Sequence, residues 1–161
     1  MLTASLDEWS KGVGTCCPPD EADRRWRSEL RGRLLGFVEI TNGGAEVCEF
    51  PATAAAELWG DDGAVLPVEF TRPSSAPPLR TIDAGVTRHL RVHWTGPYCG
   101  PVSQQQSLVL SLEGSSRPLV AVVATPSTPP CLGGENDPVE PGTAQVHGLE
   151  PRPGDEVSAT W

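Results

Sequence analysis

Val86-Thr87-Arg88-His89-Leu90-Arg91-Val92-His93-Trp94 runs directly into Thr95-Gly96-Pro97-Tyr98-Cys99-Gly100-Pro101, and the reading of this stretch decides the fold. Leu90, Val92 and Trp94 alternate with His89, Arg91 and His93. A period of two belongs to a strand with one buried and one polar face. Trp94 therefore points into a core, and the histidines are expected on the solvent side. The strand ends in a Gly/Pro corner that carries Cys99. Much later, Thr128-Pro129-Pro130-Cys131-Leu132-Gly133-Gly134 sets a second cysteine in a similar corner. Two such loops point to a staple between Cys99 and Cys131.

Other strands read outward from this one. Arg33–Thr41 places Leu34, Val38 and Ile40 on one face before the breaker Asn42-Gly43-Gly44. Ala54–Trp59 and Ala64–Thr71 flank Gly60-Asp61-Asp62-Gly63, with Leu66, Val68 and Phe70 alternating, and form the clearest hairpin. Leu108, Leu110 and Leu112 mark another strand, Leu119, Ala121 and Val123 the next, and 157–161 is a candidate closing strand. Seven or so short strands separated by turn signals, with one wet face each, give an all-β chain and an antiparallel two-sheet β-sandwich. Residues 1–31 read differently, as an N-terminal extension at the domain edge. There Asp20-Glu21 opens a short helix with Ala22, Trp26 and Leu30 on one side. The sandwich domain is expected over 32–161.

Composition narrows the function classes. A length of 161 residues suits one domain, and 17 glycines with 17 prolines suit many short elements. The net charge of −9 lacks the basic footprint that nucleic-acid binding needs. The run Arg24-Arg25-Trp26-Arg27 is interleaved with Glu21, Asp23 and Glu29, as on a solvated helix face. No apolar run reaches the length of a membrane-spanning helix. The first residues lack the charged start and apolar stretch of a signal peptide. That reading favours the cytoplasm, whereas five cysteines flanked by Pro and Gly favour a disulfide framework and export.

No catalytic, cofactor or metal signature emerges. His89 and His93 are four apart on a strand, about 13 Å, too far for two ligands of one zinc ion. No Cys-x-x-Cys is present, nor a Gly-x-Ser-x-Gly elbow. Asp61 and Asp62 are turn residues first, and the acidic groups at 135–137 and 155–156 match no calcium loop. Structural bridging of Cys48 with Cys16 or Cys17 is expected beside Cys99–Cys131. Trp59, Tyr98 and Trp161 in exposed loops are candidates for a ligand surface, Trp59 the foremost.

One family resemblance covers roughly residues 33–135. Arg33 through Gly44, followed by Cys48-Glu49-Phe50-Pro51, resembles the strand, Asn-x-Gly turn and Cys-x-x-Pro of domain of unknown function 4232. Leu58-Trp59-Gly60-Asp61-Asp62-Gly63 resembles its next strand and acidic turn. Ile82-Asp83-Ala84-Gly85-Val86 through Trp94 and Cys99-Gly100 resembles its Trp-ending strand and following cysteine, and Pro129-Pro130-Cys131 its last cysteine. Ala84-Gly85 stands where that family usually has Pro-Gly. The resemblance implies an immunoglobulin-like β-sandwich without an established activity, in exported or envelope-associated actinobacterial proteins. The expectation is a non-catalytic binding or accessory domain, extracellular or in the cell envelope, without a cofactor, whose partner is an unknown protein or envelope ligand. A small metal-dependent or hydrolytic enzyme and a cytoplasmic interaction module are the alternatives.

Overall fold

Even-numbered positions of the strand Leu34–Asn42 are all buried, and this strand organises everything around it. The computed structural model describes residues 2–11, 18–28, 32–50, 53–71, 81–131 and 141–150. In chain order these form β1 (Leu2–Glu8), β2 (Ser10–Lys11), α1 (Pro19–Ser28), β3 (Leu34–Asn42), β4 (Cys48–Glu49) and β5 (Thr53–Trp59). There follow β6 (Val68–Thr71), β7 (Thr81–Ile82), β8 (Thr87–Trp94), β9 (Ser107–Leu112), β10 (Leu119–Thr125) and β11 (Gly142–Glu150). Among the described residues, the structure is all-β apart from α1 and one short turn of helix at Asp61–Gly63.

Nine strands share one sheet in the order β5-β9-β10-β1-β3-β8-β11-β6, with β2 paired to β3 beside β1. The two ends of this order meet at the turn between β5 and β6, where Trp59 bridges Val65 and Leu66 donates its backbone N–H to Leu58 at 2.8 Å. The sheet thus nearly closes on itself. It is not wholly antiparallel, since β1–β10 and β6–β11 run parallel. β6 follows β5 only briefly after its turn, then leaves it to lie along β11. A two-stranded ladder of β4 and β7 completes the pairing.

The alternation expected from the sequence sets the core. Leu90, Val92 and Trp94 face inward, as do Leu108, Leu110, Leu119, Ala121 and Val123. Two differences concern the chain's first residues. β1 is no edge extension: it lies between β3 and β10, antiparallel to one and parallel to the other, with Leu6 in the core. The boundary expected at residue 31 therefore separates nothing, because Leu2, Ala4 and Leu6 supply a row of the same core. The expected helix is present as α1. Pro19 sits at its start, Asp20 and Glu21 lie in its first turn, and Arg25 and Arg27 in its last, all favourable to the helix dipole. Its buried Trp26 donates its indole N–H to the Arg33 carbonyl at 2.9 Å. Lys11 lies 4.5 Å over the Trp26 ring and pairs with Asp23 at 3.0 Å. That hydrogen bond chiefly holds the Asp23 carboxyl below its ordinary value. Leu30 and residues 157–161 lie outside the described residues.

Between β1 and β2 the chain turns Trp9 across the inner face of β3. Gly36 makes this crossing feasible: a Cβ there would sit 2.8 Å from both Leu6 Cδ1 and Trp9 Cζ3. The Trp9 indole N–H donates to Gln106 Oε1 at 3.0 Å, and Gln106 Nε2 donates to the Ser127 carbonyl at 2.9 Å. The buried Gln106 amide is thus satisfied at both ends.

Candidate functional site

Two places gather the residues singled out in the sequence. One is the end of the domain where β8 runs out. Trp94 is 1% exposed, and Trp9 and Tyr98 meet it edge-on at centroid distances of 6.1 and 5.5 Å. Beyond them the Cys99–Cys131 disulfide is formed, across 32 residues of sequence. It ties the corner after β8 to the segment after β10, and Tyr98 N–H reaches the Pro130 carbonyl at 3.4 Å beside it.

Tyr98 is not the surface residue expected from its loop. It is 2% exposed, because the chain at Gly100 and Gly142 folds over its ring, closely enough that a Cβ at either position would lie within 3 Å of it. Its hydroxyl donates to the Pro101 carbonyl at 2.6 Å, and burial raises its pKa. Trp59 remains half-exposed, its indole N–H donating to Glu57 at 2.8 Å. The loop after β5 meets the loop after the disulfide corner: Asp61 accepts from the Gln105 backbone N–H at 2.9 Å, and Gly60 abuts Ser103. Val65 and Val102, 58% and 80% exposed, lie on these two loops. Trp161 lies outside the described residues.

Cys48 is a half-buried free thiol on β4, so the expected bridge from Cys48 to Cys16 or Cys17 is not formed. β4 is occupied instead by pairing with β7, Cys48 opposite Ile82. Cys16 and Cys17 lie outside the described residues.

The second place is the outer face of β3, β8 and β11. His89 and His93 do point away from the core, but they are not the solvated residues expected. His89 is only 8% exposed, edge-on to Phe37, with Nε2 3.5 Å from Glu39. No described residue partners its Nδ1. His93 meets the third histidine of the chain, His147 on β11, with ring centroids 4.9 Å apart. His147 Nε2 lies 2.9 Å from His93 Nδ1, and Arg91 Nη2 lies 3.3 Å from His147 Nδ1.

The chemistry of the partners fixes the protons. A guanidinium has donors alone, so His147 Nδ1 accepts from Arg91. Neutral His147 then carries its proton on Nε2 and donates it to His93 Nδ1. Both rings are held neutral: burial and the Arg91 charge lower the pKa of His147 to about 4, and the same two causes, in that order, lower that of His93. Arg91 and Arg33 make this a poor place for a cation. Among the described residues, no group of three or more His, Cys, Asp or Glu side chains is arranged to hold a metal ion.

His147 carries no strand signal in the sequence, because the apolar alternation of β11 breaks at this residue. Ala144 and Val146 keep the strand period, but two residues, His147 and Gly148, oppose Arg91 alone, and Leu149 falls out of phase. Comparison of the chain with protein families, curated proteins and solved structures finds no match. Among the described residues, no helix is long and apolar enough to cross a membrane.

Proposed function

We propose that the chain is an immunoglobulin-like, non-catalytic domain that works by binding outside the cytoplasm, with the stapled end as its contact surface. The observation that carries this reading is the Cys99–Cys131 bridge between two partly exposed loops, a bond that cytosolic thiol systems keep reduced. Strand order supports the immunoglobulin-like part. β1, β3, β8 and β11 stand in the order of strands A, B, E and D of a constant-type domain, and β5, β9 and β10 in the order of C, F and G. β11 takes the D position from late in the chain, and the disulfide joins end loops, not the two sheet faces. Of the three cysteines that carry the resemblance to domain of unknown function 4232, Cys99 and Cys131 are the bridged pair and Cys48 is a free thiol.

Exposed Val65 and Val102 with half-exposed Trp59 present apolar surface on adjoining loops at that end, beside the acidic Asp62 and Glu57. Loops held by a rigid scaffold are where binding residues concentrate. The compartment is tested by alkylating thiols in intact producing cells before lysis. Cys99 and Cys131 protected from alkylation until a reductant is added is the expected result; both alkylated without reductant would sink the extracytoplasmic reading. The contact surface is tested with a photo-crosslinking residue at position 102 and a control at exposed position 122. Adducts at 102 and none at 122 are expected, and equal yields at the two positions would refute the assignment.

A further inference from the structure

We propose that Arg91, His147 and His93 form an acid-operated latch that holds the last turn of β11 against β8 at neutral pH and releases it in acid.

The position of the three residues gives the relay its leverage. β11 pairs regularly with β8 through Ala144, Gln145 and Val146, then shifts register before Leu149 and Glu150. Where the ladder is interrupted, His147 and Gly148 stand opposite Arg91. A bulge weakens backbone pairing locally and re-aims a side chain. Here the re-aimed side chain is His147, and its two hydrogen bonds span the interruption, one to Arg91 and one to His93 two residues along β8. Leu149, buried in the core, lies just beyond.

The relay has no arrangement that accommodates an added proton. A proton on His147 Nδ1 faces the Arg91 N–H. A proton on His93 Nδ1 faces the His147 N–H. Moving the His147 proton to Nδ1, so that His93 donates instead, again confronts Arg91. Every protonated state therefore loses one of the two bonds and adds positive charge beside a guanidinium. The other charged and titratable groups on this face, among the described residues, are His89 of β8, Arg33 and Glu39 of the β3 segment, Glu69 of β6, and Glu150 of β11, which stands opposite His89 in the ladder. Glu39 is engaged by His89, and Glu69 is opposite Thr143 in the ladder. The burial and charge that keep both rings neutral place the response below the ordinary histidine range.

Hydrogen exchange of the full chain, corrected for intrinsic rates, tests the latch. Between pH 7 and pH 4, amides of residues 147–150 are expected to lose protection at least tenfold more than those of β3. The double variant His93→Gln/His147→Gln, in which neither side chain titrates, is expected to remove that difference. An equal acid response in the double variant would overturn the proposal. Imidazole nitrogen shifts of the unmutated protein give a second reading that does not depend on any variant's folding. They are expected to show His147 protonated on Nε2 and titrating well below the ordinary histidine range. A proton on His147 Nδ1 at pH 7, or titration of both His93 and His147 near 6.5, would equally overturn it.

Discussion

Removal of the staple between Cys99 and Cys131 has an outcome that can be worked out. Replacing both cysteines by serine leaves no stray thiol, and the contacts around the bridge remain: Tyr98 O–H to Pro101, Tyr98 N–H to Pro130, and Trp94 against Tyr98. The folded state should therefore survive, with near-ultraviolet circular dichroism from the Trp9–Trp94–Tyr98 cluster unchanged. The loss lies in the unfolded chain, which gains the freedom of a loop closed over 32 residues of sequence. Loop-closure entropy for that length is worth about 3.7 kcal/mol at 25 °C. With a urea slope of about 2–3 kcal/mol/M, the midpoint should fall by about 1.2–1.9 M. The slope itself should rise, because the unlinked chain exposes more surface. Equilibrium urea unfolding of both proteins measures these quantities. A midpoint shift below about 0.3 M with an unchanged slope would refute the reasoning, since it would mean that the bridge restrains nothing the other contacts do not already hold.

Three further outcomes follow from the packing. Deleting residues 1–8 should abolish folding, not trim an appendage, because β1 is paired on both sides; a dispersed amide spectrum from the truncated chain would contradict its central place. Gly36→Ala forces a methyl group against Leu6 and Trp9 at 2.8 Å and should destabilise by about 1–3 kcal/mol, read as a lowered urea midpoint. Stability should also depend on His147. Its folded pKa near 4 lies below the ordinary 6.5, so its contribution is complete above pH 6.5 and is lost as pH falls toward 4. The shift alone corresponds to about 3.4 kcal/mol, and screening of a partly exposed ring reduces the expectation to about 1–2 kcal/mol. The difference between the protein and His147→Gln in urea midpoints at pH 7 and pH 4.5 measures it.

Where apolar residues alternated strongly, the strands were legible. Leu90, Val92 and Trp94, or Leu108, Leu110 and Leu112, need a buried face whatever surrounds them, and the cysteines beyond Trp94 and β10 pointed to their own pairing. β1 was missed although Leu2, Ala4 and Leu6 alternate, because outward Ser5, Asp7 and Glu8 carry little β preference and a position before the first clear strand invites reading as an appendage. β11 was missed because its bulge breaks the period at the residue that matters most. The outward direction of His89 and His93 was correct, whereas their burial was not. Strand alternation tells which way a side chain points, but what lies over that face depends on tertiary contacts such as His147, 54 residues away from His93. Tyr98 shows the same limit from the other side: a Gly/Pro loop reads as exposed, yet small residues at 100 and 142 let the chain close over its ring.

The parallel pairing of β1 with β10 also governs when this chain can fold. Ala4 aligns with Ala121 and Leu6 with Val123, so β1 has its place completed only by the much later β10. During synthesis, β1 and β3 can pair early, but the row of core residues on β1 stays half-covered until residues 119–125 have emerged. Long-range strand pairing of this kind is slow, because the entropy of closing so long a loop is lost before its contacts are gained. Until β10 is in place one edge of β1 stays unpaired, and the segment that carries Cys131 to Cys99 lies just beyond β10.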